Sequence, residues 1–162
     1  MPAVRERTVL GIAPGLATTG FGVLTVTPAT LTARAYGVIE TPAGQADAKR
    51  LATLQGELAA VIARYRPDLV AVEKLFFNTN LTTAMAVSQA RGAVLAVCGQ
   101  LGLAVHECTP LEVKLAVSGY GRADKRQMQR MVTLLLKLKT LPQPDDAADA
   151  LAVAICGARL SK

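Results

Sequence analysis

The sequence predicts an α/β chain with one mixed five-stranded sheet and helices on its faces. Three observations lead there. Segments rich in β-branched residues follow one another through short turns near the N-terminus. The hydrophobic spacing then changes to that of a helix. Finally, Leu69 to Glu73 (LVAVE) is a nearly continuous apolar run, as expected of a strand covered on both faces.

The elements can be justified in order. Thr8 to Ile12 is a short apolar strand that runs into the turn signal Pro14-Gly15. Gly20 to Thr27 and Leu31 to Glu40 follow as strands joined by Pro28-Ala29-Thr30, which suggests an antiparallel meander. Leu51, Leu54, Leu58, Val61, Ile62 and Tyr65 fall at helical spacing, and Arg66-Pro67 ends that helix. After the strand at Leu69 to Glu73, Leu81 to Gln100 reads as a helix crowded with Ala, Val and Met. Leu103 to Cys108 reads as a strand, Pro110 to Val117 as a short helix and Asp124 to Leu138 as a longer one. Pro142 and Pro144 precede a last helix, Asp146 to Leu160, with Asp145 as its expected N-cap. Strands and helices in this order imply one sheet flanked by helices. No internal repeat or linker divides the chain, so residues 1–162 are expected to form a single domain.

Half of the residues are hydrophobic and no low-complexity tract is present, which excludes a disordered protein. Aromatics are only 4% of the chain, so the core must be built from Leu, Val, Ala and Ile. A formal charge of +6 favours a polyanionic partner without identifying it. Cys98, Cys108 and Cys156 are odd in number, widely spaced and set in apolar runs, which fits small buried hydrophobes in a reducing compartment. The basic N-terminal residues have no apolar stretch behind them, so no signal peptide is expected. The longest apolar run, Ala84 to Val97, is interrupted by Ser88, Gln89, Arg91 and Gly92 and looks too short to span a bilayer. The expectation is a soluble, cytoplasmic protein without a membrane partner.

Four stretches could carry chemistry. One is Gly11 to Gly15 with Thr18-Thr19-Gly20 beyond the turn; another is Glu73 at the end of a buried strand. A third is Asp146 and Asp149, whose i and i+3 spacing puts both on one helix face. The fourth is the segment from Lys114 to Lys139, with seven bases against the single acid Asp124. Three carboxylates from distant segments could form a cluster of hard oxygen ligands, which suits Mg²⁺. Two such ions activate water and stabilise the leaving oxygen in phosphodiester hydrolysis. Equally, Asp145 and Asp146 could simply favour the helix dipole, leaving Glu73 an ordinary surface acid. The glycines do not form a phosphate loop, because the lysine and hydroxyl of GxxxxGK[ST] are absent and no GxGxxG opens a helix. Gly15 is expected to be a turn residue. His106, the only histidine, lies in an expected strand, which argues against histidine-based catalysis.

The motifs GIxPGxxxTGxG (from Gly11), AVExxFF (from Ala71), QARG (from Gln89), the lysines Lys114 and Lys125, and PxDxADALAxA (from Pro144) occur in that order. In this respect the chain resembles the RuvC-type Holliday junction resolvases, from Leu10 to Ile155. The resemblance implies an RNase H-like fold, a homodimer and cleavage of four-way DNA junctions with two Mg²⁺ per active site, Mn²⁺ substituting. It also implies 5′-phosphate and 3′-hydroxyl products, a preference for short T-rich sites and cooperation with a branch-migration motor in recombination and repair. Residue by residue, Glu73 matches the strand-end metal ligand, Asp146 and Asp149 match the acids of the last helix, and Lys114 and Lys125 match lysines near the scissile phosphate. Phe76 matches the stacking aromatic, with Phe77 beside it. The family's first catalytic aspartate falls at Ala13, and a methyl group cannot bind a cation. With the surrounding motif intact, this isolated change points to deliberate or recent inactivation. The expected behaviour is junction binding with little or no cutting.

Arg122, Arg126 and Arg130 recur every four residues, as expected of a stripe on one helix face, and are assigned to DNA backbone contact on charge alone. The helix from Leu81 to Gln100 has too many apolar faces for one sheet contact, which fits a two-fold dimer. Two other functions compete with the nuclease. One is a non-catalytic junction-binding protein, for which Ala13 speaks. The other is a phosphotransferase or ATPase of the actin-like architecture, which ordinarily needs two such domains.

Overall fold

Among the described residues, 5–75 and 81–161 of a computed structural model, the chain runs β1 (Arg7–Ala13), β2 (Thr18–Val26), β3 (Leu31–Glu40), α1 (Asp47–Tyr65), β4 (Leu69–Glu73), α2 (Leu81–Gln100), β5 (Val105–Cys108), α3 (Pro110–Ser118), α4 (Lys125–Leu135) and α5 (Asp145–Leu160). Phe76 and Phe77 lie outside the described residues.

The strands form one sheet in the order β3-β2-β1-β4-β5. The first three are an antiparallel meander, and β4 and β5 add to β1 in parallel. Side chains alternate across this sheet. Leu10, Ile12, Val23, Val70 and Val72 pack under α1 and α2, against Leu54, Leu58 and Val94. Val9, Leu24, Leu69 and Ala71 face the other way, onto α5 with α3 and α4 beyond it. Both faces of β1 and β4 are therefore covered, which is why LVAVE carries no alternation.

Local signals set the helix ends. Arg66 takes φ 47°, its N–H donates to Ile62 O at 2.8 Å, and Pro67 cannot continue α1. Thr109 caps α3, with Pro110 in its first turn. Asp124 and Gln127 form a capping box on α4. That helix is shorter than the expected span to Leu138. Lys137 turns to φ 52°, its N–H donating to Leu134 O at 3.2 Å and that of Leu138 to Thr133 O at 2.9 Å, which closes the last turn. Asp145 is not the N-cap of α5: Pro144 occupies that position without a side-chain bond, and Asp145 is the first helical residue.

The helix α5 is buried almost throughout, from Ala147 to Ala158. Its alanines let it lie on the sheet, and glycines in the strands complete the fit. A Cβ on Gly11 would collide with the carbonyl of Ala150, and one on Gly20 with the carbonyl of Asp146. One on Gly22 would come within 2.7 Å of the Leu151 side chain. Gly15 is a turn residue as expected: its N–H donates to Thr19 Oγ1 at 3.2 Å, and that hydroxyl donates back to Gly15 O at 2.6 Å.

The helix α2 is longer than the apolar run inside it. Its 20 residues, with a window of mean hydropathy 1.3, are long and apolar enough to cross a membrane, which corrects the expectation from Ala84 to Val97. In this fold it is a packed layer: Ala90, Val94 and Cys98 are fully buried against the sheet and α1, and Arg91 pairs with Glu107 of β5. All three cysteines are buried and free.

Candidate active site

The site grows out of strand direction. Because β1 and β4 are parallel, with Ile12 opposite Val72, their carboxyl ends emerge side by side. Ala13 is one step past Ile12 and Glu73 one step past Val72. By alternation both residues face α5, as Gly11 and Ala71 do. The N-terminus of α5 comes up beneath the same edge. Ala13 pairs with Gly20 across β1 and β2, and Gly20 touches the backbone of Asp146. Strand carboxyl ends meeting a helix N-terminus make a common site for anionic ligands in open α/β sheets.

The carboxylates at this edge feel one another. Glu73 is pushed up to about 7, first by burial and then by Asp149 and Asp146, with Lys125 pulling it back. The carboxyl of Asp149 is also raised, chiefly by burial, against the opposing charge of Lys125. Lys125 reaches across from α4, with Nζ 3.5 Å from Asp145 Oδ2 and 3.9 Å from Asp149 Oδ2. Gln129, one turn along α4, donates to Asp145 Oδ1 at 3.2 Å. A cleft of roughly 290 Å³ is lined by Glu73, Asp149, Lys114 and Lys125, with Val113 and Ala148 on its apolar side.

Sequence-predicted residues thus converge from four elements: Glu73 from β4, Asp146 and Asp149 from α5, Lys114 from α3 and Lys125 from α4. The carboxylates among them are hard oxygen donors of the kind a divalent cation takes, and the two lysines are cations that would face a phosphate. Among the described residues, however, no three His, Cys, Asp or Glu side chains are grouped closely enough to hold an ion between them. Ala13, 6% exposed, occupies the strand end beside Glu73 and adds no oxygen.

The sequence of the crossover junction endodeoxyribonuclease RuvC family matches residues 9–157, which includes all of these positions. The chain belongs to the RuvC family. A RuvC relative from Heliobacterium modesticaldum is 55% identical over 148 residues, covering 91% of each chain. The solved structure of T. thermophilus RuvC in complex with Holliday junction substrate superimposes with a TM-score of 0.90 at 34% identity, over 96% of this chain and 94% of that one. A yeast mitochondrial Holliday junction resolvase shares the fold, with a TM-score of 0.68 at 14% identity over 93% of this chain and 77% of that one. The architecture is the RNase H-like one, a mixed five-stranded sheet flanked by helices.

One expectation within this RuvC chain needs correcting. Arg122, Arg126 and Arg130 do not line one helix face, because α4 starts only after the N-cap Asp124 and leaves Arg122 in the preceding turn. Arg126 and Arg130 do sit one helical turn apart, and all three are exposed. Two features escaped the sequence reading. One is the Lys125 and Gln129 hold on Asp145, signalled only by their i, i+4 spacing. The other is the role of Gly11 and Gly20 in admitting α5, which an alanine-rich helix opposite glycine-bearing strands could have suggested.

Proposed function

We propose that this chain binds four-way DNA junctions at the edge where β1 and β4 end, and that it is a structure-specific endodeoxyribonuclease of recombination and repair whose cutting is crippled at Ala13. A single nuclease domain spans residues 1–162. The observation that carries the proposal is the convergence of Glu73, Asp146 and Asp149, with Glu73 pushed up to about 7, beside a strand end whose side chain is a methyl group. With an aspartate at that position, Glu73, Asp146 and Asp149 would hold two Mg²⁺ (or Mn²⁺). Such ions supply a more acidic water and stabilise the leaving oxygen in paired, symmetric phosphodiester hydrolysis. Without it the donor set is one ligand short. The loss of transition-state stabilisation amounts to several kcal/mol, each ~1.4 kcal/mol being a factor of ten in rate.

The chain's own residues have separable tasks. Lys114 of α3 and Lys125 of α4 both line the cleft and present cations to a phosphate. Displacing Lys125 from Asp145 and Asp149 would let it follow the nucleic acid. Arg122, Arg126 and Arg130 contact the duplex backbone through charge. Phe76 and Phe77 come shortly after Glu73 in the chain, beyond Lys74 and Leu75, and would stack on or wedge between bases at the junction centre. Leu81 and Met85 of α2, 83% and 64% exposed, support a homodimer built on that helix. A branch-migration motor and a cytoplasmic location complete the reading.

A non-catalytic junction binder is the second reading, and Ala13 is its support. One experiment separates the two: junction binding and cleavage by this chain and its Ala13→Asp variant, with and without Mg²⁺. Cleavage restored by the substitution supports a crippled nuclease. Binding without cleavage in both forms supports the binder. Absence of junction binding in either overturns both.

A further inference from the structure

At the opposite end of the sheet lies a second concavity, independent of the nuclease reading. β1 runs from Arg7 to Ala13, so roughly 20 Å of strand separates this end from the acids. The hollow encloses about 890 Å³ between the β2–β3 turn and the C-terminus of α5. Volumes of roughly 300–1,000 Å³ are typical of clefts that receive a ligand. Its floor is apolar, formed by Val26, Leu31 and Leu135. Its cations are Arg5, Arg7 and Arg159, and no carboxylate is among the described residues that line it.

The three arginines are held differently. Arg7 donates from Nη1 to Ser161 O at 3.1 Å and to Ser161 Oγ at 3.2 Å, and from Nη2 to Ala158 O at 3.1 Å. A guanidinium has five N–H donors. Three are engaged here, so two remain on a side chain already fixed in place. Arg159 is tethered to the carbonyl of Ala116. Both therefore bond to neutral carbonyls, and neither charge is offset by an acid among the described residues. Arg5 is exposed at the rim.

We propose that this hollow is a docking site for an acidic peptide segment of a partner protein, one whose aspartates or glutamates flank an apolar anchor. Fixed guanidinium forks match carboxylates in a two-point geometry. The apolar floor takes the anchor and contributes by removing it from water. Duplex DNA fits this shape poorly, because it is a convex rod that lays phosphates on outward-facing cations and has nothing to bury against Val26 and Leu31. A free phosphate would use the arginines and leave the floor uncovered.

The test uses the full chain and a fluorescein-labelled peptide of eight residues in which glutamates and aspartates flank two leucines. Saturable binding is expected, with amide shifts in a ¹⁵N spectrum confined to residues 26–31 and 158–161. Arg5→Glu, a change at an exposed rim position, should weaken the peptide by about fivefold. Ala29→Glu, which places a carboxylate in the exposed turn over the hollow, should weaken it comparably. Replacing both leucines with alanine should cost at least as much. Neither protein variant should alter junction binding. The proposal is overturned if no saturable binding occurs or if both variants bind as the parent does. It is equally overturned if the leucine-free peptide, inorganic phosphate or a linear duplex occupies the hollow as strongly as the leucine peptide.

Discussion

Ala13 and Glu73 end neighbouring parallel strands, each one residue beyond the Ile12–Val72 pair, and both face the N-terminus of α5. That relationship makes Ala13 the natural position for a further carboxylate. Ala13→Asp should raise Mg²⁺-dependent cutting of a four-way junction by at least about a hundredfold, the equivalent of roughly 3 kcal/mol in the barrier. Gel assays with strand-labelled junctions would read this directly. The same substitution should destabilise the metal-free protein, since it adds a like charge to an edge where Asp146 and Asp149 already raise Glu73. No gain in cutting would mean that the strand edge is not the reaction centre.

Glu73 gives the metal-free fold a definite pH signature. Its carboxyl is raised from an ordinary 4.5 to about 7. The folded state therefore keeps a proton that the unfolded state has lost. This group's contribution to stability is complete below 4.5 and declines as pH rises through about 7. Glu73→Gln cannot ionise and should remove that decline. In calorimetry with EDTA, the variant should lose less Tm than the parent between about pH 5 and about pH 8. Identical pH profiles would show that Glu73 is not buried among like charges.

A third prediction concerns how α5 reaches the site. Gly20 sits against the carbonyl of Asp146, so a methyl group there must push backbone rather than a flexible side chain. Gly20→Ala should destabilise by about 3 kcal/mol and loosen the placement of Asp146 and Asp149 together. Urea denaturation gives the first effect. In the Ala13→Asp background, a fall in cleavage under conditions where the variant stays folded gives the second. A variant as stable as the parent would mean that the helix–sheet spacing can relax.

Much of this was legible in the sequence because period and punctuation agree. LVAVE lacks alternation since both faces of β4 are covered, and Arg66-Pro67 marks the end of α1 where the chain turns. The i, i+3 spacing of Asp146 and Asp149 survived intact because helical geometry fixes it locally. What failed depended on contacts between distant segments or on cap geometry. Asp145 read as a cap, but Pro144 takes that place, and the carboxylate turns to Lys125 and Gln129 on α4 instead. The arginine stripe lost Arg122 because it precedes Asp124, which caps the first turn of α4 through its box with Gln127. The glycines of β1 and β2 could not be assigned without knowing which helix lies on them.

Arg126 and Arg130 are exposed, one turn apart on α4, and on the helix that also delivers Lys125 to the cleft. A duplex arm entering beside Lys125 would therefore run along them. Contacts of this kind act through release of counterions, each phosphate neutralised adding about 0.9 to the slope of log affinity against log salt. Replacing both arginines with alanine should reduce that slope by about 1.8 and weaken junction binding most at low salt. Binding measured by anisotropy across a salt series would give the slope. Because neither side chain lines the cleft with Glu73 and Asp149, cleavage at saturating protein in the Ala13→Asp background should change little. An unchanged slope would place the junction's arms elsewhere on the surface, and a collapse of saturated cleavage would mean that α4 takes part in the chemistry beyond holding DNA.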